Sequence, residues 1–157
     1  MNKPCSKCKG EMSPSIHEPF HGEEGGLRLT ISDMPYDACA QGHKRFLNLT
    51  FAAQLMDLML NPATYQKFPI ATEKGFFKKT YLCPACAHEL PDAPTDAQRL
   101  EVRAEIDGAQ PFKVEVDVPV YTCAGCGKAC IHSIKETGTL AFKATGHAFR
   151  SADIPPT

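Results

Sequence analysis

The chemistry this sequence offers lies in eight cysteines: Cys5, Cys8, Cys39, Cys83, Cys86, Cys123, Cys126 and Cys130. Six of them form three Cys-x-x-Cys pairs, Cys5/Cys8, Cys83/Cys86 and Cys123/Cys126. In such a turn two thiolates can face one cation while the intervening backbone amides point at the sulfurs. Two turns brought together make a four-sulfur tetrahedral cage, the geometry zinc takes in structural sites. Cys83, Cys86, Cys123 and Cys126 suit this arrangement. The 36 residues between the two pairs exceed the common spacing of roughly 15–20, so an extended hairpin must bring them together.

A second set is expected from Cys5, Cys8 and Cys39, with one ligand replaced. The next cysteine after Cys39 is Cys83, which belongs to the other set, whereas His43 stands where a second turn would end, in Cys39-Ala40-Gln41-Gly42-His43. Neutral imidazole is a good zinc ligand, which makes Cys5, Cys8, Cys39 and His43 a candidate site of three thiolates and one histidine. His17 and His21, in the connecting loop, are its rivals. Cys130 is left over, either as a free thiol or, with His132, as a substitute ligand for the second set; the free thiol is the favoured reading. His17, His21, His88 and His147 have no paired spacing and are expected on the surface.

Zinc, two ions per chain, is the expected cofactor. Iron is the less favoured occupant of the all-cysteine set: Cys-Pro-Ala-Cys and Cys-Ala-Gly-Cys-Gly look like rubredoxin turns, and a four-sulfur cage accepts either metal. A histidine in the first set and the lack of acidic bias argue against an electron-transfer protein. Thiol redox chemistry is disfavoured too. A Cys-x-x-Cys redox centre opens a helix after a strand, but Leu90-Pro91-Asp92-Ala93-Pro94 forbids a long helix after Cys83 and Cys86.

Strands must position these turns. From Leu100 to Asp107 and again from Phe112 to Val118, apolar and polar residues alternate, and Asp107-Gly108 lies between the two runs. Period two with an Asp-Gly turn signal predicts a β-hairpin. Leu100, Val102, Ala104 and Ile106 would share a covered face with Phe112, Val114, Val116 and Val118, and the second strand would deliver Cys123.

The first half reads as a divergent copy of the second. Glu11-Met12 follows Cys8 as Glu89-Leu90 follows Cys86, and Asp33-Met34-Pro35 precedes Cys39 as Asp117-Val118-Pro119 precedes Cys123. Leu27, Leu29 and Ile31 alternate with polar residues as an incoming strand, with its turn at Gly22–Gly26.

Between the halves, Phe51–Leu60 is a helix with only Gln54 and Asp57 polar. Thr50 or Asn48 caps it and Asn61-Pro62 ends it. A helix this apolar needs cover nearly all round, either between the two ribbons or at an interface. Residues 65–82 are the most basic part, with Lys67, Lys74, Lys78 and Lys79 interleaved with Phe76, Phe77 and Tyr81. That mixture suits a single-stranded nucleic-acid platform. It also suits an outer strand with Phe77 and Tyr81 turned inward, which is the favoured reading. Leu140, Phe142 and Ala144 suggest a short strand before a frayed end.

The pattern of a Cys-x-x-Cys turn, a hairpin, then Asp-x-Pro-x-x-x-Cys running into a second turn resembles the zinc ribbons of small bacterial zinc-binding proteins. It is similar to the N-terminal zinc domain of MqsA-type antitoxins. The residues concerned are Cys5, Cys8, Pro35 and Cys39 in one half, and Cys83, Cys86, Pro119, Cys123, Cys126 and Gly127-Lys128 in the other. The resemblance implies a zinc ribbon in each half. Such antitoxins carry a helix-turn-helix after the ribbon, and nothing after Cys126 offers paired helices, which speaks against a repressor role. His43 in place of a final cysteine is a second departure.

Composition narrows the rest. The chain has 157 residues, 17 basic against 18 acidic, and a net charge of −1. That balance excludes a strongly cationic nucleic-acid binder; binding through Lys74, Lys78 and Lys79 stays possible but is not favoured. At 43% apolar and 22% charged the chain is globular rather than disordered. No apolar run approaches the roughly 18 residues of a membrane span, and Met1-Asn2-Lys3-Pro4-Cys5 lacks a signal-peptide stretch. A cytoplasmic protein with reduced thiols and no membrane partner is therefore expected.

The expected fold is small, metal-stabilised and mainly β, with one or two short helices and two zinc-ribbon (rubredoxin-like) hairpin modules. The first ribbon spans 1–47, an apolar helix and basic linker 48–75, the second ribbon 76–135, and a C-terminal strand with a frayed tail 136–157. No catalytic motif is visible, so no enzyme is expected. A protein-interaction or adaptor role is, through a protein partner or self-association at helix 51–60.

Overall fold

The computed structural model describes residues 3–155. Its elements are β1 (Met12–Ile16), β2 (Phe20–Glu24), β3 (Leu27–Ser32), β4 (Pro35–Cys39), β5 (Lys44–Arg45), α1 (Phe51–Leu60), β6 (Thr72–Lys74), β7 (Thr80–Leu82), β8 (Asp96–Ala104), β9 (Phe112–Thr122), β10 (Ala129–Cys130) and α2 (Ile134–Ser151). The fold is mainly β with two helices.

The alternating runs form the strands they predict. β8 and β9 pair antiparallel, with Leu100 opposite Val116, Val102 opposite Val114 and Ala104 opposite Phe112. On its other side β9 pairs with β3, Leu29 opposite Val116 and Ile31 opposite Val114. β2 completes the order β2–β3–β9–β8. The hairpins of the two halves thus join into one antiparallel sheet. Leu27, Leu29, Ile31, Val114, Val116 and Val118 are fully buried on it. The first-half turn is tighter than expected: it is made by Gly25 and Gly26, both at positive φ, while Gly22 lies inside β2.

Gly22 explains how the sheet is covered. A Cβ there would lie 2.0 Å from the Ala144 carbonyl oxygen and 2.6 Å from the Ala148 nitrogen, so α2 rests directly on β2. The helix makes this possible with a face of small residues, Gly138, Ala141, Ala144, Thr145 and Ala148, all buried.

Helix α2 corrects the expectation of a C-terminal strand and frayed tail. Ser133 accepts a hydrogen bond from the Glu136 amide at 3.0 Å and so caps the helix. The helical spacing of Ala141, Ala144, Ala148 and Phe149 outweighs the two-residue alternation of Leu140, Phe142 and Ala144. Beyond the helix, Ala152 and Ile154 are buried rather than frayed; residues 156–157 lie outside the described part.

Helix α1 spans its predicted residues and buries Phe51, Leu55 and Met59 in the same core, against α2. Thr50 makes no side-chain cap bond; instead Asn48 Oδ1 accepts from the Thr50 amide and hydroxyl. Asn61 ends the helix and its side chain starts the 3-10 turn Pro62–Tyr65 by accepting from the Ala63 amide. Cover runs most of the way round the helix: Ala52, Met56 and Leu58 are half-buried against the same core, and the narrow stripe Ala53, Asp57 and Leu60 is exposed.

Two smaller sheets carry three of the cysteine turns, and β9 with β10 carries the fourth. β1, β4 and β5 form one, with Met12 opposite Cys39 and Ala38 opposite Lys44. β6 and β7 form an isolated arm, and β10 pairs with the end of β9.

Candidate metal centres

Each half of the chain supplies two turns, and three of the four share one hydrogen-bond pattern. The Cys5 amide donates to the Gly10 carbonyl and the Lys9 amide to the Cys5 carbonyl, at 2.9 and 2.8 Å. Cys83 with His88 and Ala87, and Cys123 with Lys128 and Gly127, repeat this at 2.8–2.9 Å. The residue after the second cysteine takes a positive φ in each: Lys9 at 63°, Ala87 at 63° and Gly127 at 77°.

The fourth turn is one residue shorter. The Cys39 amide donates to the His43 carbonyl at 3.1 Å and the Gly42 amide to the Cys39 carbonyl at 3.0 Å. Gly42 takes the positive φ, 87°, that Gly127 takes in the fourth residue after Cys123. The shorter turn has no second-cysteine position. His43, just before β5, fills the gap because an imidazole reaches farther than a thiol.

The structure brings together Cys5, Cys8, Cys39 and His43, and separately Cys83, Cys86, Cys123 and Cys126; within each set the donor atoms all lie within 4.8 Å of one another. In the first set His43 Nδ1 is 3.4 Å from Cys5 Sγ and 3.3 Å from Cys39 Sγ, and Cys8 Sγ is 3.7 Å from Cys39 Sγ. In the second, Cys83 and Cys126 sulfurs are 3.6 Å apart and those of Cys86 and Cys123 3.5 Å. A tetrahedron with 2.3 Å metal–sulfur legs has edges of about 3.8 Å, and about 3.5 Å to an imidazole nitrogen. The observed edges agree within a few tenths of an ångström. Both clusters could hold a metal ion.

Comparison with protein-family models, curated proteins and solved structures finds no match to the chain. What the centres can do therefore rests on their own chemistry.

The electrostatics fit a cation. The Cys8 amide holds the Cys5 thiol down to about 6, against burial. Burial opposes ionisation of Cys83, but the amides of Ala85 and Cys86 outweigh it and bring that thiol to about 6 as well. Cys123 is lowered, chiefly by the Cys126 amide. Their neighbours move the other way. The His88 amide favours the Cys86 thiolate, but the Cys123 sulfur and burial push Cys86 up to about 12. Cys8 is raised by burial and by Cys39 and Cys5, in spite of the Gly10 amide. Four crowded sulfurs cannot all carry charge unless a dication stands where the shared protons were.

The other sulfur and nitrogen groups fall outside the cages. Cys130 is fully buried below the second set, in a small core with Ala71, Cys83, Leu90, Tyr121 and Cys123, and burial pushes its thiol up to about 11. His132 is buried between the rings of Tyr121 and Tyr81, at centroid distances of 3.5 and 3.9 Å; its Nε2 has no partner among the described residues. His17, expected at the surface, is instead buried, with Nδ1 2.7 Å from the Glu18 carbonyl. His21 and His88 are exposed.

A cavity of about 720 Å³ borders the first set, lined on its apolar side by Met12, Phe46, Leu47 and Leu49. Lys3, Lys7, Asp37, Lys44, Arg45 and Asp107 bring charge to its wall. Arg45 contacts Asp37 at 3.7 Å and the Lys3 carbonyl at 2.9 Å, and Lys44 is bonded to His17. Lys74, Lys78 and Lys79 lie on the β6–β7 arm, all exposed, and belong to neither cage. Phe77 is not turned inward as expected; it and Phe76 are fully exposed, because a two-stranded arm has no second layer to cover them.

Proposed function

We propose that the chain is a non-catalytic zinc protein: two zinc ions, one per Cys-x-x-Cys frame, hold a tandem pair of ribbons that serves as an interaction or adaptor module. The observation that carries this reading is the completeness of both donor sets. Each supplies four ligands at tetrahedral spacing, which leaves no coordination position for substrate or activated water.

Zinc is favoured over iron because one set includes an imidazole, and because small β modules of this kind draw folding free energy from a redox-inert ion. Cys5, Cys8, Cys39 and His43 would hold one ion, Cys83, Cys86, Cys123 and Cys126 the other. Three turns with one hydrogen-bond pattern and a fourth one residue shorter support descent of the halves from a common ribbon, in keeping with the resemblance to the zinc domain of MqsA-type antitoxins. The single C-terminal helix is committed to the sheet, which speaks against a helix-turn-helix role. A cytoplasmic setting, where thiols stay reduced, suits eight free cysteines.

Elemental analysis of protein purified without added metal tests the reading. Two zinc ions per chain are expected; a red, iron-loaded four-sulfur centre would replace it with an electron-transfer role.

A further inference from the structure

The β6–β7 arm ends in the sequence Lys74-Gly75-Phe76-Phe77-Lys78-Lys79. Phe76 and Phe77 are 99% and 106% exposed. Two adjacent, wholly uncovered aromatic rings are costly in water and mark a contact surface. Lysines stand on both sides of them in the chain. Lys74, Lys78 and Lys79, all exposed, flank them along the arm, and Glu73 pairs with Lys79 at 3.6 Å.

The arm is held firmly at its root. Its register runs from Lys74 opposite Thr80 to Thr72 opposite Leu82, and Leu82 bridges to Glu89. The next residue is Cys83 of the second centre. Tyr81 stacks on His132, and the Tyr81 carbonyl accepts from the Leu90 amide at 2.8 Å. Gly75 closes the tip at φ +106°, where a Cβ would lie 2.4 Å from the Lys78 carbonyl oxygen. The metal turn thus props an aromatic tip away from the body.

We propose that this tip binds the surface of an anionic phospholipid bilayer, with Phe76 and Phe77 entering the interfacial layer and Lys74, Lys78 and Lys79 meeting the headgroups. Charge complementarity favours an anionic surface. The placement of the rings favours lipid over nucleic acid. Rings that stack successive bases share one face of a sheet, two residues apart, and neither β6 nor β7 carries an exposed aromatic residue beside the pair. Neighbouring residues at a turn diverge, and a bilayer accepts both whatever their ring planes. No spanning segment is required, and among the described residues no helix is long and apolar enough to be one. A single small tip gives weak, reversible attachment.

The inference rests on the binding-module reading and gives that module a partner. Cosedimentation of the zinc-loaded full chain with phosphatidylcholine vesicles, with and without phosphatidylglycerol, tests it. Binding only to the phosphatidylglycerol vesicles is expected, decreasing with salt. Phe76→Ser with Phe77→Ser should weaken it at least about tenfold, and each lysine replaced by alanine about fivefold. All of these side chains are exposed, so the variants should retain the metal content of the parent. No binding to phosphatidylglycerol vesicles, equal binding by the double Phe variant, or tighter binding to a single-stranded oligonucleotide than to vesicles would overturn the proposal. Zinc content is measured on the same samples, so a failed membrane test and a failed zinc reading are told apart.

Discussion

Lys44 Nζ lies 2.8 Å from His17 Nε2, and a second bond of 2.8 Å joins it to the Ala152 carbonyl at the end of α2. Because His17 Nδ1 faces the Glu18 carbonyl, Nδ1 carries the proton and Nε2 accepts from the ammonium. The ring packs against Phe20 and Tyr36 at centroid distances of 4.7 and 5.0 Å. One lysine, adjacent to the candidate ligand His43, therefore ties the first cysteine frame to the helix that covers the sheet. Replacing Lys44 with alanine would strand a buried imidazole nitrogen and a helix-terminal carbonyl, a loss of about 1–3 kcal/mol. Thermal unfolding should show Tm lower by roughly 3–9 °C, with metal content unchanged; an unaltered Tm would show the contact to be idle.

Gly22→Ala tests the seating of α2. The added methyl would meet helix backbone at 2.0 and 2.6 Å, and backbone cannot rotate aside as a side chain can. Overpacking of this kind costs about 1–3 kcal/mol or more. Chemical denaturation should show a lower midpoint than for Glu23→Ala, an exposed neighbour on the same strand.

The shortened fourth turn makes His43 indispensable to the first centre alone. His43→Ala should lower zinc from two ions per chain to one under competition from a chelator, while Cys83→Ser should empty only the second centre. Native mass spectrometry reads both. Retention of two ions by His43→Ala would assign the fourth ligand elsewhere.

Proton release follows from the thiol shifts. Cys86, at about 12, and Cys8, also raised, carry protons at neutral pH in the metal-free fold, whereas Cys5 and Cys83, at about 6, are thiolates. Zinc added at pH 7 should displace at least two protons per chain, those of Cys8 and Cys86, read by calorimetry in buffers of differing ionisation enthalpy. The lowered pair gives the pH dependence of the metal-free fold. Its stabilisation is full above the unfolded thiol value near 9, shrinks as pH falls, and is lost through about 6. Zinc affinity should fall over the same window as protons compete for sulfur.

The cages were legible in the sequence because ligation depends on residue type and local spacing: Cys-x-x-Cys fixes a turn, and His43 stands where a ligand was missing. The β8–β9 hairpin was legible for a similar reason, its alternation being a local property of strands buried on one face. Three features were not. The pairing of β3 with β9 is a contact between distant segments, and alternation does not name a partner. Helix α2 presents Ala and Gly rather than large apolar residues, so its face carries little hydrophobic signal; Ser133-Ile134-Lys135-Glu136, with its capping serine and acidic third residue, was the available cue. Phe77 faces solvent because an arm of two strands leaves nothing opposite it, which composition does not reveal.

The central claim, two complete four-ligand zinc centres, is tested most directly by weighing the intact protein with its metal. Native mass spectrometry of the chain, purified without added metal, should give the mass of the polypeptide plus two zinc ions. A chain that carries fewer than two, or that holds iron in their place, would contradict the account.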